Sequence, residues 1–192
     1  VKLLIDATLA EIDKAFWEMD DKLTEQDNLL IYYAGHGKKD ERLKRAFWIP
    51  TDAERINESG PYWYNTTRVT EHITRIKAKH ILLVSDSCYA GLLVRERGSE
   101  SVSADMERDL TDPVYFGKML QRITRAYLAS GGDAPVLDGY GGQHSVFAKN
   151  FIKVLKNNEG TIDSLEVYNK VRKAIVGLKN ISQNPEYHYM DE

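Results

Sequence analysis

The chain has one cysteine among its 192 residues. That excludes a disulfide framework within the chain and fits a reducing compartment, so the expected location is cytoplasmic. No apolar run is long enough to cross a bilayer, and no membrane partner is expected. Basic charge is not in excess: 26 Lys and Arg stand against 29 Asp and Glu. A nucleic-acid face needs a concentrated basic stripe, and none is visible, so no nucleic-acid partner is expected. Internal repeats and low-complexity segments are also lacking, and no signal peptide is visible, though the N-terminus carries little weight on that point. The chain opens Val1-Lys2-Leu3, without methionine and already inside a strand-like run. It therefore reads as a fragment.

What is present is the composition of a folded globular protein, with 42% hydrophobic and 29% charged residues. The length suits a single domain over residues 1–192 with a real core. The organising stretch is His80 to Leu92, HILLVSDSCYAGL. Its run Ile81-Leu82-Leu83-Val84 suits a strand buried on both faces. Cys88 follows directly, at a strand end where α/β proteins place chemistry. For a lone cysteine, a buried thiol filling space is the simpler reading. A second stretch argues against it. Asn28 to Gly37, NLLIYYAGHG, is another apolar strand, ending in Gly35-His36-Gly37. Two parallel strands would bring His36 and Cys88 to one edge of one sheet.

A thiol is a poor nucleophile until it ionises, and a nearby imidazole can take its proton. His36 can then return a proton to a leaving amine. The flanking glycines let the backbone turn sharply beside a substrate. The histidine precedes the cysteine by about 50 residues, the spacing of caspases. YYAGHG followed by DSCYAG resembles the caspase and metacaspase clan of cysteine peptidases, and Ala129 to Ala148 resembles its bacterial caspase-like branch. The resemblance runs from about Leu3 to Val176. It implies a cysteine endopeptidase with a Cys88–His36 dyad, and an oxyanion held by the amides of Gly37 and Cys88. It also implies a first strand and helix upstream of this chain. Such a segment would be needed to complete the sheet.

The motif departs from the caspase signature Gln-Ala-Cys-x-Gly. Here it is Asp86-Ser87-Cys88, and an acidic residue two before the cysteine resembles metacaspases. That argues against cleavage after aspartate. Asp86 would instead bind Arg or Lys before the scissile bond. Arginine is favoured because a guanidinium can pair in a bidentate fashion. A carboxylate capping the following turn is the competing reading of Asp86. Asp133, on a Gly-rich loop without a P-loop pattern, is a candidate second wall of that pocket. The substrate is a protein or peptide. The alternative function is a catalytically silent caspase-like domain used for assembly or signalling.

The reaction calls for no cofactor and no metal. Arg95 to Asp112 is the most polar stretch and reads as a mobile loop. Its acidic residues raise calcium activation, but they lack the spacing of an EF-hand loop. Arg95, Arg97 and Arg108 are candidate self-processing sites.

The remaining pattern predicts an α/β fold with a mostly parallel sheet flanked by helices. Leu3–Ile5 is a short strand. Thr8 and Glu11 form a capping-box spacing before a helix carrying Leu9, Ile12, Phe16 and Met19 inward. Lys38–Lys44 is a charged loop, Ala46–Pro50 a short strand and Thr51–Tyr64 a long loop. Tyr62, Trp63 and Tyr64 either line a groove or pack under that loop. Thr66 or Thr67 caps a helix on which His72 is a surface residue. His80 opens its strand without a chemical role. Pro113–Arg122 is a helix and Arg125–Ser130 a strand. Ser145–Leu155 is a helix with Val146, Phe147, Phe151, Ile152 and Leu155 inward, and Ser164–Val176 another helix. The tail around Tyr187 is either a docked edge strand or a loose end.

Overall fold

The computed structural model describes residues 1–42, 45–53, 62–91, 112–131, 144–178 and 183–190. The first element is α1 (Leu9–Lys22), begun by a complete capping box. The Thr8 hydroxyl accepts the Glu11 N–H, and the Glu11 carboxylate accepts the Thr8 N–H at 2.8 Å. This satisfies two donors that a helix start leaves without partners. Ile12 and Phe16 are buried, as the spacing predicts, and Trp17 sits at the rim.

Strand β1 (Asn28–Ala34) leads into a hairpin, β2 (Gly37–Asp40) and β3 (Arg45–Trp48), joined by the short β4 (Tyr64–Asn65). These three form a small antiparallel sheet. Next come α2 (Thr66–Arg75), β5 (His80–Asp86), α3 (Pro113–Gln121) and β6 (Thr124–Ala129). The chain closes with α4 (Val146–Lys156), α5 (Ser164–Val176) and β7 (Glu186–Tyr189). The main sheet has the order β1-β5-β6-β7, with the first three strands parallel and β7 antiparallel. The tail is thus a docked edge strand.

Two apolar layers sandwich this sheet. Ile12, Phe16, Ile73 and Ile76 from α1, α2 and the residue closing α2 pack on Ile81, Leu83 and Tyr127. Phe147, Phe151, Leu165, Val171 and Ile175 from α4 and α5 pack on Val84, Leu128 and Tyr187. Alternate residues of β5 serve opposite layers, which accounts for its unbroken apolar run. Half-buried Arg125 on β6 reaches under the end of α2. Its guanidinium donates to the carbonyls of Ile73, Ile76, Lys79 and Thr124 at 2.8–3.2 Å.

Several expectations change. Leu3–Ile5 is no strand: it pairs with nothing among the described residues, and Leu3 and Ile5 are each 75% exposed. The expected upstream strand would fill a place inside the sheet, but the described strands pair with one another without a gap. The described sheet is continuous, and β1 forms its edge, with Leu30 53% exposed. Lys38–Asp40 is a strand rather than a loop, because β3 offers it a backbone partner. Asn65, not Thr66 or Thr67, caps α2, accepting the Thr67 N–H at 2.8 Å. His72 is buried against Asp13, with Nε2 3.2 Å from Oδ1, and stacks on Phe16. Leu155 faces outward, while Phe147 and Phe151 are buried as expected. Trp63 and Tyr64 are core residues rather than groove lining. His80 binds Thr124, Nδ1 to Oγ1 at 2.7 Å, in keeping with a structural role. The loop expected at Arg95–Asp112 falls outside the described residues up to position 111.

Candidate active site

The parallel register of β1 and β5 ends at the pair Ala34 and Asp86. His36 and Cys88 each lie two residues beyond that pair, at the same carboxyl edge. Both line one cleft of about 700 Å³, together with Asp86, Tyr32, His144 and Ser145. Parallel strands with no register offset bring two separate motifs to the same height.

The His36 turn is fixed by its backbone. Tyr33 Oη donates to the His36 carbonyl at 2.8 Å, and the Ile49 N–H donates to the same oxygen at 3.0 Å. The Tyr33 ring stacks on Trp48 at 4.0 Å between centroids. Gly35 is required by this arrangement, because a Cβ there would lie 2.7 Å from Tyr33 Oη. Gly37 meets the other motif. A Cβ on it would overlap the Cys88 carbonyl oxygen and lie 3.1 Å from its carbonyl carbon and 3.4 Å from its nitrogen. Only a glycine lets the two backbones approach this closely.

The Cys88 turn is held from β6. Tyr127 Oη donates to the Ala90 carbonyl at 2.5 Å, and the Gly91 N–H donates to Gly131 O at 3.1 Å. Ser85 and Ser87, both buried, bond to each other at 2.9 Å. Tyr89 has φ 59°, a left-handed conformation that few non-glycine residues adopt. The half-buried Cys88 thiol and the exposed His36 are therefore presented by two tightly braced turns.

Asp86 is 9% exposed and lies in the same cleft as Cys88. Its Oδ2 accepts from Tyr32 Oη at 3.1 Å and Ser145 Oγ at 2.5 Å. Oδ1 is buried and has no hydrogen-bond partner among the described residues. A buried carboxylate oxygen without a donor is costly, and a cationic group in the cleft would satisfy it. Among the described residues, no hydrogen bond links Asp86 to the backbone of the turn that follows it. Burial and the neighbouring Asp86 charge raise the Tyr32 phenol well above its ordinary range.

The structure thus brings together His36, Gly37, Asp86 and Cys88. Asp133, Arg95, Arg97 and Arg108 lie outside the described residues. Among the described residues, no group of three His, Cys, Asp or Glu side chains could hold a metal ion. Sequence reading missed Tyr32, His144 and Ser145 as cleft residues. Ser145 carried one signal, a serine directly before an apolar helix, but that signal speaks of capping and not of Asp86.

A solved structure of protein GSU0716 from Geobacter sulfurreducens resembles this chain with a TM-score of 0.59. The match covers 97% of this chain and 74% of that one at 16% identity, a likeness of fold alone. No curated protein matches the sequence. The family model of the caspase domain, Peptidase C14, matches residues 1–191. With a mostly parallel sheet between helical layers and both motifs at its edge, the chain belongs to the caspase-domain family of cysteine peptidases.

Proposed function

We propose that this protein is an endopeptidase that cuts after Arg or Lys, with Cys88 as nucleophile and His36 as general acid–base. The observation that carries this reading is the close approach of Gly37 to the backbone of Cys88, next to the cleft that the His36 and Cys88 residues both line. It supports a thiol, an imidazole and two main-chain amides acting together. In the proposed reaction Cys88 Sγ attacks the peptide carbonyl carbon as His36 takes its proton. The Gly37 and Cys88 amides stabilise the oxyanion, being fixed where the charge develops. His36 then protonates the leaving amine, and water hydrolyses the thioester. Asp86, with a buried oxygen lacking a donor, receives the basic side chain. A like charge there would be repelled, which disfavours aspartate substrates.

The test has two arms. Iodoacetamide near neutral pH should alkylate Cys88 much faster than an unactivated thiol. A peptide library should be cut after Arg or Lys by the protein and not by Cys88→Ala. A slow thiol and an uncut library would favour the silent-domain reading. Preference for aspartate, or basic preference untouched by Asp86→Ala, would remove Asp86 from its role. Self-cleavage at Arg95, Arg97 or Arg108 is part of the proposal, read by intact mass over time against Cys88→Ala. So is an upstream segment pairing with the outer edge of β1 and covering Leu30. Including that segment should slow hydrogen exchange at the β1 amides.

A further inference from the structure

Asp86 is held by two side chains of the fold. Tyr32 and Ser145 both donate to Oδ2. An oxygen with two lone pairs is then fully used. Both donors are themselves fixed by the fold. The Tyr32 ring lies 5.7 Å from Phe151 of α4, centroid to centroid. Ser145 is the N-cap of α4 and accepts the Ala148 N–H at 2.9 Å, which orients its hydroxyl proton elsewhere, onto Asp86. Because its phenol is raised far above neutral pH, Tyr32 remains a donor under all working conditions.

Resting on the reading of Asp86 as the specificity carboxylate, we propose that Tyr32 and Ser145 are positioning residues that restrict it to one-oxygen recognition of a basic side chain. A guanidinium pairs in bidentate fashion by placing one N–H on each carboxylate oxygen. With Oδ2 occupied, arginine has only Oδ1 to bind, and lysine has the same oxygen. The advantage of the arginine fork is lost. The enzyme accepts both residues with little discrimination, which replaces the expectation of an arginine preference. Position 32 on β1 and position 145 before α4 are far apart in sequence, so only the folded chain creates this arrangement.

The experiment measures kcat/KM for matched peptides ending in Arg and in Lys. The unaltered protein should cut the two within about tenfold of each other. Tyr32→Phe keeps the ring against Phe151 and frees one lone pair of Oδ2. It should shift the Arg-to-Lys ratio toward Arg by about tenfold, one added charge-assisted hydrogen bond. Ser145→Ala should shift it the same way, and Ser145→Thr, which keeps hydroxyl and cap, should restore it. A loss of stability alone would lower both substrates together and leave the ratio unmoved. Binding of the same peptides to Cys88→Ala gives the ratio independently of turnover. Strong Arg preference in the unaltered protein, or ratios unmoved in both variants while Asp86→Ala abolishes basic preference, overturns this inference alone. Basic preference that survives Asp86→Ala overturns the underlying reading of Asp86 instead.

Discussion

Gly37 is where the histidine and cysteine motifs touch, and the contact is backbone to backbone. A methyl group there would meet the Cys88 carbonyl, which has no rotamer to move away. The hairpin must shift instead, and misplacement by about 1 Å can cost about a hundredfold in rate. We expect Gly37→Ala to lose peptidase activity by about that factor while the protein stays folded, with circular dichroism and steady-state kinetics as the checks. Tyr89 offers a second test. Its φ of 59° is strained for a side chain, and most of all for a β-branched one. Tyr89→Val should therefore be less stable than Tyr89→Gly by about 1–2 kcal/mol in urea titration. Equal stabilities would show that the turn relaxes at no cost. At this scale His36 and Cys88 were legible, because each residue type has few chemical uses at a strand end. Tyr32 and Ser145 were not, because a tyrosine in a strand and a serine before a helix have ordinary local explanations.

Elements whose forces are local could be read directly. The capping box of α1 acts across three residues, and α5 matches its predicted span. Elements whose partner is distant could not. Lys38–Asp40 looks like a solvated loop until β3 pairs with it, and His72 looks like a surface residue until Asp13 and Phe16 cover it. Leu155 completes the apolar spacing of α4 yet faces outward, since the layer ends before it. Arg125 is the strongest case. Its alternation marks a strand, but its role is to gather the carbonyls that close α2 and lead into β5. Arg125→Met keeps much of the side-chain volume and removes every donor. We expect it to destabilise the protein by about 3 kcal/mol, because the carbonyls of Ile73, Ile76 and Lys79 lose their charged donor. A chemical-denaturation midpoint within error of the parent would refute that role.

Across the whole molecule, stability should depend on pH through His80. Burial is the main cause that lowers its pKa below the ordinary 6.5, aided by Lys79 and Arg125 and opposed by a hydrogen bond to the Leu120 backbone. Below 6.5 the unfolded chain binds the proton more readily than the folded one. Stability is thus fully present above 6.5 and declines as pH falls through the folded value. Urea midpoints taken between about pH 5 and 7 should rise with pH, and His80→Gln should flatten that part of the curve. The fold class and the pairing of the two motifs were contained in the sequence itself. Burial on both faces demands unbroken apolar strands, and their parallel register carries His36 and Cys88 to one edge. Only the tertiary structure decided that β1 is the sheet's edge, that Leu3–Ile5 stays outside it, and that Oδ2 of Asp86 is already occupied. Those outcomes depend on which backbone and side-chain groups from remote parts of the chain reach one another, and local pattern carries no record of that.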